Sequence, residues 1–577
     1  MPSSTPVIGF VLAALSLVFM APYARLLLPA APRSLFIAAT LALSTGTLSL
    51  VVLWIGLLGI PIDWRLATLI SAVISAIGWV IWWRRRPTVA GGDDKPFKLR
   101  DLPLPAQVSL LIIAILAVLI LFNAVYWPFA IDDAVTIYAF WGKQIALTGK
   151  LPTGTLYEAY PQLVQTIYAV IFQASGQINE YASALIPAAL SIGAMLAAYL
   201  LGGQLSSWSV GLIAALLIAF TPAYANWASS GYVDLPMSFF YAMTAVFLIR
   251  WERDQRWQDA MLTGIMAGLA MWTKNSALIL LPVLGLWSMY QVWRQRRLPN
   301  LRHVALFTVA LLVVGGIWYI RNLLVVGVIV PPTGWTDKAI HTVATLLPYL
   351  TDRPHFPIGI VLTVGLLFTL WRLISSRAQE YAAALLMIFY VPFFAAWWWL
   401  ASYDVRFLFG VLPIVAVIGA YAVAMLLRWL NRFTWFSSVH QYPAGRAVIV
   451  VGLLALAVLP MFTAVDFKTE LIRSPMLSDE EKHRIAYGAR YDMAQWINAN
   501  VPRGSVIWSQ DLLLPFLVDD RRVVGGGWPT SPEQFAGYDY WLLSPSDVLP
   551  AWFEGAFAST QPLHESAGYR LYPLIRR

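Results

Sequence analysis

Apolar runs long enough to cross a bilayer recur along the whole chain, near 7–22, 34–58, 66–83, 104–128, 182–204, 209–227, 232–250, 257–273, 276–294, 303–327, 357–375, 380–401, 406–430 and 445–466. The pattern predicts a mainly α, polytopic membrane protein of about 14 transmembrane helices. Two stretches break it. From Ala134 to Ala182 the chain is only moderately apolar; Ile137, Trp141 and Ile145 share one helical face, and Leu163, Ile167 and Ile171 share another. That spacing predicts two interfacial helices in an outer loop over 129–181 rather than spans. The second break is the tail from Phe467. Ser478-Asp479-Glu480-Glu481 reads as a capping box opening an amphipathic helix through Ile485, Ala489, Met493 and Trp496 that stops before Pro502. Strand-like runs follow at 505–508, 516–518, 523–524, 538–543 and 569–574, enough for a small C-terminal α/β domain.

Composition agrees with the pattern. Of 577 residues 59% are hydrophobic and 12% charged, which excludes an ordinary soluble enzyme. The absence of cysteine excludes disulfides, thiolate metal sites and cysteine nucleophiles, and the six histidines show no zinc-type spacing. The first residues lack a basic n-region, so no cleaved leader is expected.

Charge sets the expected orientation. Arg84, Arg85, Arg86, Lys95, Lys98 and Arg100 form one basic loop, and Arg250, Arg253 and Arg256 a second. Arg294, Arg296, Arg297 and Arg302 form a third, and Arg428, Arg432 and Arg446 a fourth. If every run crosses once, all four fall on one side, and the positive-inside rule makes that side cytoplasmic. Topology thereby accounts for the net charge of +9 without a nucleic-acid partner. The 129–181 loop and the tail would then be extracytoplasmic, at the cell (plasma or inner) membrane.

The candidate chemistry sits at the ends of the runs. The span ending at Trp127 delivers two adjacent carboxylates, Asp132 and Asp133, to the water boundary, where desolvation makes such groups costly. Asp234 opens a later run, Lys274-Asn275 fill a very short connection, Arg321-Asn322 lie near a span end, and Asp404 and Arg406 stand before another run. Each alone is what a helix cap or a snorkelling side chain would also give. Together they would line one cavity facing the side opposite the basic loops.

Asp132-Asp133 after a span, an adjoining surface helix, Leu151-Pro152 and Tyr160-Pro161-Gln162-Leu163 resemble the first outer loop of the GT-C glycosyltransferases, of the protein O-mannosyltransferase and aminoarabinose transferase type. Trp272-Thr273-Lys274-Asn275, Arg321-Asn322 and Arg406 resemble that group's lysine and arginine segments. The resemblance covers about Leu104 to Phe467. It departs from the O-mannosyltransferase pattern where Asp133 replaces glutamate and Tyr160-Pro161-Gln162 replaces a proline pair, and in three extra spans before Leu104. It implies a GT-C fold with three parts: extra helices over 1–103, a catalytic core over 104–466 and an extracytoplasmic domain over 467–577.

It also implies an inverting glycosyltransferase that moves a sugar from a polyprenyl-phosphate donor to an acceptor hydroxyl or phosphate of a lipid, glycan or protein at the outer face. A phosphate leaving group needs cations more than a general acid, and a single carboxylate base facing the acceptor gives inversion. We expect Asp132 as base, Asp133 holding the acceptor, and Lys274, Arg321 and Arg406 on the donor phosphate. The expected substrate-binding set is Trp141, Lys143, Tyr157, Glu158, Tyr160, Gln162, Asp234, Asn275, Asn322 and Asp404. No cofactor is required by this chemistry, although Asp132 and Asp133 could take a divalent cation, Mg²⁺, Mn²⁺ or Ca²⁺. The alternatives are a polytopic transporter or flippase of a lipid-linked or polar substrate, and a non-catalytic scaffold. Against transport, no inverted repeat of the hydropathy pattern is visible.

Overall fold

The structure, a computed structural model, describes residues 5–85, 99–154, 157–296, 299–332, 335–342, 344, 358–377, 379–433, 442–466, 476–525, 537–548 and 561–574. Arg86, Lys95, Lys98, Arg297 and the Phe467 boundary lie outside the described residues. The protein is a multi-pass membrane protein. Among the described residues nine helices are long and apolar enough to cross a membrane, or ten if a pair bent by 76°, Trp208–Ala219 and Pro222–Ser229, is one span. The 209–227 run, expected as one helix, breaks there for a local reason. Pro222 lacks an amide donor and forces Thr221 into an extended conformation, so the chain turns before the second helix begins.

Several other runs are also subdivided. The 7–22 run forms two short helices, Thr5–Leu15 and Ala21–Leu27. The 276–294 run begins with a 3-10 turn, Asn275–Ile279, before the helix Leu280–Gln295, and the 303–327 run contains a π-turn, Leu312–Gly316. The helices Asp234–Asp254, Trp257–Thr273 and Ile358–Ser375 form as expected but are not among the nine.

Burial sorts the helices into layers. The apolar windows of Glu180–Leu205 and Val405–Leu430 are 72% buried within the protein, whereas those of Trp64–Arg85 and Pro443–Ala464 are 17% buried, so the first two form the centre and the last two the rim. Asp234–Asp254 belongs with the centre: all residues from Asp234 to Arg250 are buried. Close backbone contact fixes the neighbours that matter for the site. A Cβ on Gly315 would strike the carbonyl oxygen of Gly268, so only glycine lets the helix leading to Arg321 pack directly on the helix leading to Lys274.

The loop between Trp127 and Glu180 carries the two expected helices, Phe140–Thr148 and Leu163–Ser175. The second is enclosed: of its 13 residues only Gln173 is not fully buried, because helices Thr5–Leu15, Arg33–Leu57 and Phe140–Thr148 pack around it.

The tail forms a five-stranded sheet of order β2-β1-β3-β5-β4, from β1 (Val506–Ser509), β2 (Arg522–Val524), β3 (Tyr540–Leu543), β4 (His564–Ser566) and β5 (Tyr569–Pro573). Strand β1 is parallel to its neighbours β2 and β3, while β5 is antiparallel to β3 and β4. The Ser478 capping box is present with Glu481. The amphipathic helix expected to continue from it is instead split into Asp479–Tyr487 and Ala489–Asn500, since Gly488 takes a φ of 59° that ends the first helix. The 516–518 run is not a strand. It falls at the end of a short helix, Leu514–Leu517, whose start is set by Asp511 Oδ1 accepting the Leu513 amide at 3.0 Å. Tyr487, Leu513 and Phe516 of the tail are part of the same hydrophobic core as the membrane helices.

Candidate active site

The structure separates the two acids. The chain enters a helical start at Asp132 and a π-turn over Ala134–Ala139, and consecutive residues there project about 100° apart. Asp132 is exposed and takes part in none of the hydrogen bonds or ion pairs among the described residues. Asp133 turns inward, where its Oδ2 lies 3.3 Å from Arg406 Nη2 and its amide donates to the Tyr232 hydroxyl at 3.4 Å. Burial raises the affinity of the Asp133 carboxyl for a proton, and the nearby charges of Arg406 and Lys274 offset this only in part.

Arg406 is the hub. The 3-10 turn Val405–Val411 is capped by Asp404, whose Oδ1 accepts the Arg406 amide at 2.8 Å, and Asp404 Oδ2 lies 3.4 Å from Arg406 Nη2. Its guanidinium rests on three rings, 4.5 Å from Tyr232, 4.8 Å from Phe407 and 5.1 Å from Trp227. Lys274 shares the Phe407 ring, 4.7 Å from its Nζ, and pairs with Asp234 Oδ1 at 2.6 Å. The very short connection after Thr273 places Lys274 here, in an extended conformation between two helices. Two cations and three carboxylates, Asp133, Asp234 and Asp404, thus meet around one aromatic floor. Arg406 Nε and Asp234 Oδ2 are buried with no hydrogen-bond partner among the described residues, so the cluster retains capacity to donate and accept.

Other expected residues take different places. Arg321 is buried, but its Nη2 donates to the Pro152 carbonyl, its Nη1 donates to Asn322 Oδ1 at 2.9 Å, and it stacks on Trp318. Asn322 Nδ2 and Trp318 Nε1 both donate to the Ala159 carbonyl, at 2.8 and 3.0 Å. This cluster holds the chain at Pro152 and at Ala159. Asn275 Oδ1 accepts from the Tyr319 hydroxyl at 3.1 Å, a link between helices. Lys143 is only 2% exposed, and its Nζ donates to the carbonyls of Phe516 and Val518, each at 2.8 Å, and meets Asp519 at 3.3 Å. Lys143 therefore holds the tail, and its amphipathic position in the sequence carried no sign of those distant acceptors. Burial lowers its proton affinity despite Asp519.

The loop supplies Tyr157 and Tyr160, which meet edge to face at 5.4 Å, and Gln162, whose Nε2 donates to the Tyr160 carbonyl at 2.8 Å and so braces that turn. Glu158 lies over Gly154, and Trp141 packs on Phe140. Sequence reasoning missed Tyr138, Tyr232, Trp227 and Phe407. Tyr138 is buried, and burial together with the charges of Asp234 and Asp133 keeps its hydroxyl protonated and able to donate. Its place on the buried face of the π-turn is set by packing, so the local sequence carried no signal for it. Among the described residues no group of three or more His, Asp or Glu side chains is arranged to hold a metal ion. Asp133 and Asp234 each give a carboxylate oxygen to a cation instead.

Residues 160–319 match the family model described as dolichyl-phosphate-mannose-protein mannosyltransferase. The matched segment contains Asp234 and Lys274 and stops short of Arg321, Arg406 and the two acids. The solved structure of ArnT from Cupriavidus metallidurans bound to undecaprenyl phosphate superposes with a TM-score of 0.55 at 14% identity, over 80% of this chain and 97% of that one. Its apo form gives 0.56 at 14% identity, over 81% and 98%. The Archaeoglobus fulgidus oligosaccharyltransferase AglB, in complex with an inhibitory peptide and a dolichol-phosphate, gives 0.53 at 13% identity, over 76% and 69%. No match is found among curated proteins. The chain has the GT-C fold seen in ArnT and AglB, as the motifs led us to expect. In architecture it is similar to ArnT along nearly the whole of that chain.

Proposed function

We propose that the protein is an inverting glycosyltransferase that takes a sugar from a polyprenyl-phosphate donor and passes it to an acceptor hydroxyl or phosphate at the extracytoplasmic face of the membrane. The observation that carries this reading is the convergence of Arg406 and Lys274 on one aromatic ring beside Asp133. A phosphate leaving group develops negative charge as the glycosidic bond breaks, and two cations held by carboxylates, of which Asp234 is buried, are pre-arranged to receive it. Asp133 and Asp404 orient Arg406, so they lie on the leaving-group side. Asp132, next in the chain but turned outward, is the carboxylate free to face an acceptor and take its proton. Displacement in one step from the side opposite the phosphate inverts the anomeric carbon. Asp132 and Asp133 could also take a divalent ion, and turnover in excess chelator tests that. The names of the matched family and of the ArnT and AglB complexes support a lipid-phosphate donor, and the four basic loops support the orientation.

The deciding experiment incubates wild type and Asp132→Asn with a panel of polyprenyl-phosphate sugars and crude membrane acceptors, and measures free polyprenyl phosphate by mass spectrometry. Release by wild type alone, for one sugar, supports the reading. No release from any donor would overturn it in favour of transport.

A further inference from the structure

The segment that bears the acid pair is held at both ends by the tail. At its start, Phe129 is buried, its amide donates to Glu180 Oε2 at 2.7 Å, and its carbonyl accepts the Tyr487 hydroxyl. Tyr487 also lies 3.3 Å from Glu180 Oε2, and His483 Nε2 lies 3.1 Å from Glu180 Oε1. At its far end Lys143 is bound by the Phe516 and Val518 carbonyls. Asp132, Asp133 and the π-turn with Tyr138 lie between these two attachments.

We infer that His483 and Tyr487, through Glu180, are positioning residues that hold the Phe129–Asp133 segment so that Asp133 meets Arg406 and Asp132 faces the acceptor. Its catalytic part rests on the function proposed above; its structural part does not. The geometry defines the state of His483. Nδ1 lies 2.8 Å from the Asp479 carbonyl oxygen and Nε2 faces a carboxylate; both partners only accept, so both ring nitrogens donate when the ring is an imidazolium. The groups facing the ring are Glu180 and Tyr181 from the central helix, Asp479 and Tyr487 from its own helix, and Tyr491 beyond Gly488. Burial pulls the His483 proton affinity down, but the hydrogen bond and charge of Glu180, then Asp479, outweigh it and raise the pKa to about 9. Raised from its ordinary value, the grip is fully present below about pH 6.5 and is lost as pH climbs through about 9.

The test uses the full chain in lipid nanodiscs. Hydrogen exchange of the 129–139 peptide is compared at neutral pH in wild type, His483→Gln and Tyr487→Phe, and exchange in β1 and β3 reports whether the tail stays folded. We expect the peptide to exchange at least about tenfold faster in both variants, the equivalent of one lost hydrogen bond. Unchanged exchange in both overturns the inference. If either variant unfolds the tail, wild type alone decides. The chain has no cysteine, so a spin label on Ala130→Cys is unique, and its mobility should rise between about pH 7 and about pH 10. A label equally immobile across that range overturns the grip. Where wild type transfers sugar, the variants should lose roughly 10–100-fold in kcat, with donor KM moving in the same direction as in Asp133→Asn; unchanged kcat overturns the catalytic part. A wild type that transfers nothing refutes the proposed function and leaves the exchange result standing.

Discussion

Arg406 Nη2 and Asp133 Oδ2 meet at 3.3 Å across 273 residues of sequence. The contact joins the loop after one span to the turn before another, and it divides the two neighbouring acids into one that is paired and one with no partner among the described residues. Asp132→Asn therefore removes the proposed base without breaking a contact among the described residues. We expect kcat to fall roughly 10²–10⁴-fold with the thermal unfolding of the protein unchanged, measured by polyprenyl phosphate release and by a melting curve on the same sample. Asp133→Asn instead loosens Arg406 and should act on both kcat and donor KM.

Arg406 uses its planar fork on Asp133 and Asp404 and its flat face on Tyr232, Trp227 and Phe407. Lysine can reproduce the charge but not that geometry. Arg406→Lys should lower kcat/KM roughly 10²–10³-fold, as for loss of a group that stabilises developing charge. A variant with near wild-type turnover would show that charge alone suffices and that the stacking is structural.

Because burial raises the proton affinity of Asp133, the carboxylate protonates at a higher pH than an ordinary aspartate, near 3.9. On acidification the pair with Arg406 is lost first, so the acid limb of the kcat/KM profile should lie above the ordinary carboxylate range. A profile flat down to that range would mean that the pair does not matter for turnover.

Lys143 is enclosed by carbonyl acceptors of the tail. Lys143→Met leaves two buried carbonyls without a donor and should destabilise docking of the tail by about 2–3 kcal/mol. Limited proteolysis of residues 476–525 would read this as faster cleavage. Unaltered cleavage with a raised donor KM would return Lys143 to the substrate.

The repeat of apolar runs, the polar 129–181 loop, the Ser478 cap and the acid pair after Trp127 were all legible in the sequence, because periodicity, capping and desolvation cost act within a few residues of one another. The segments that resemble GT-C motifs were legible for the same reason: each is a short stretch at a helix end. What only the tertiary structure decided is which partner each polar residue meets. Arg321 and Lys143 look alike in sequence to Lys274 and Arg406, yet packing commits the first two to backbone carbonyls and leaves the latter two on one ring. Nor does local pattern reveal that Tyr138, Tyr232 and Trp227 converge there, since the break at Pro222 and the π-turn after Asp133 aim those side chains only once the helices are packed. Charge and hydropathy fix where a residue sits along the membrane normal; the crossing of central helices fixes what stands beside it.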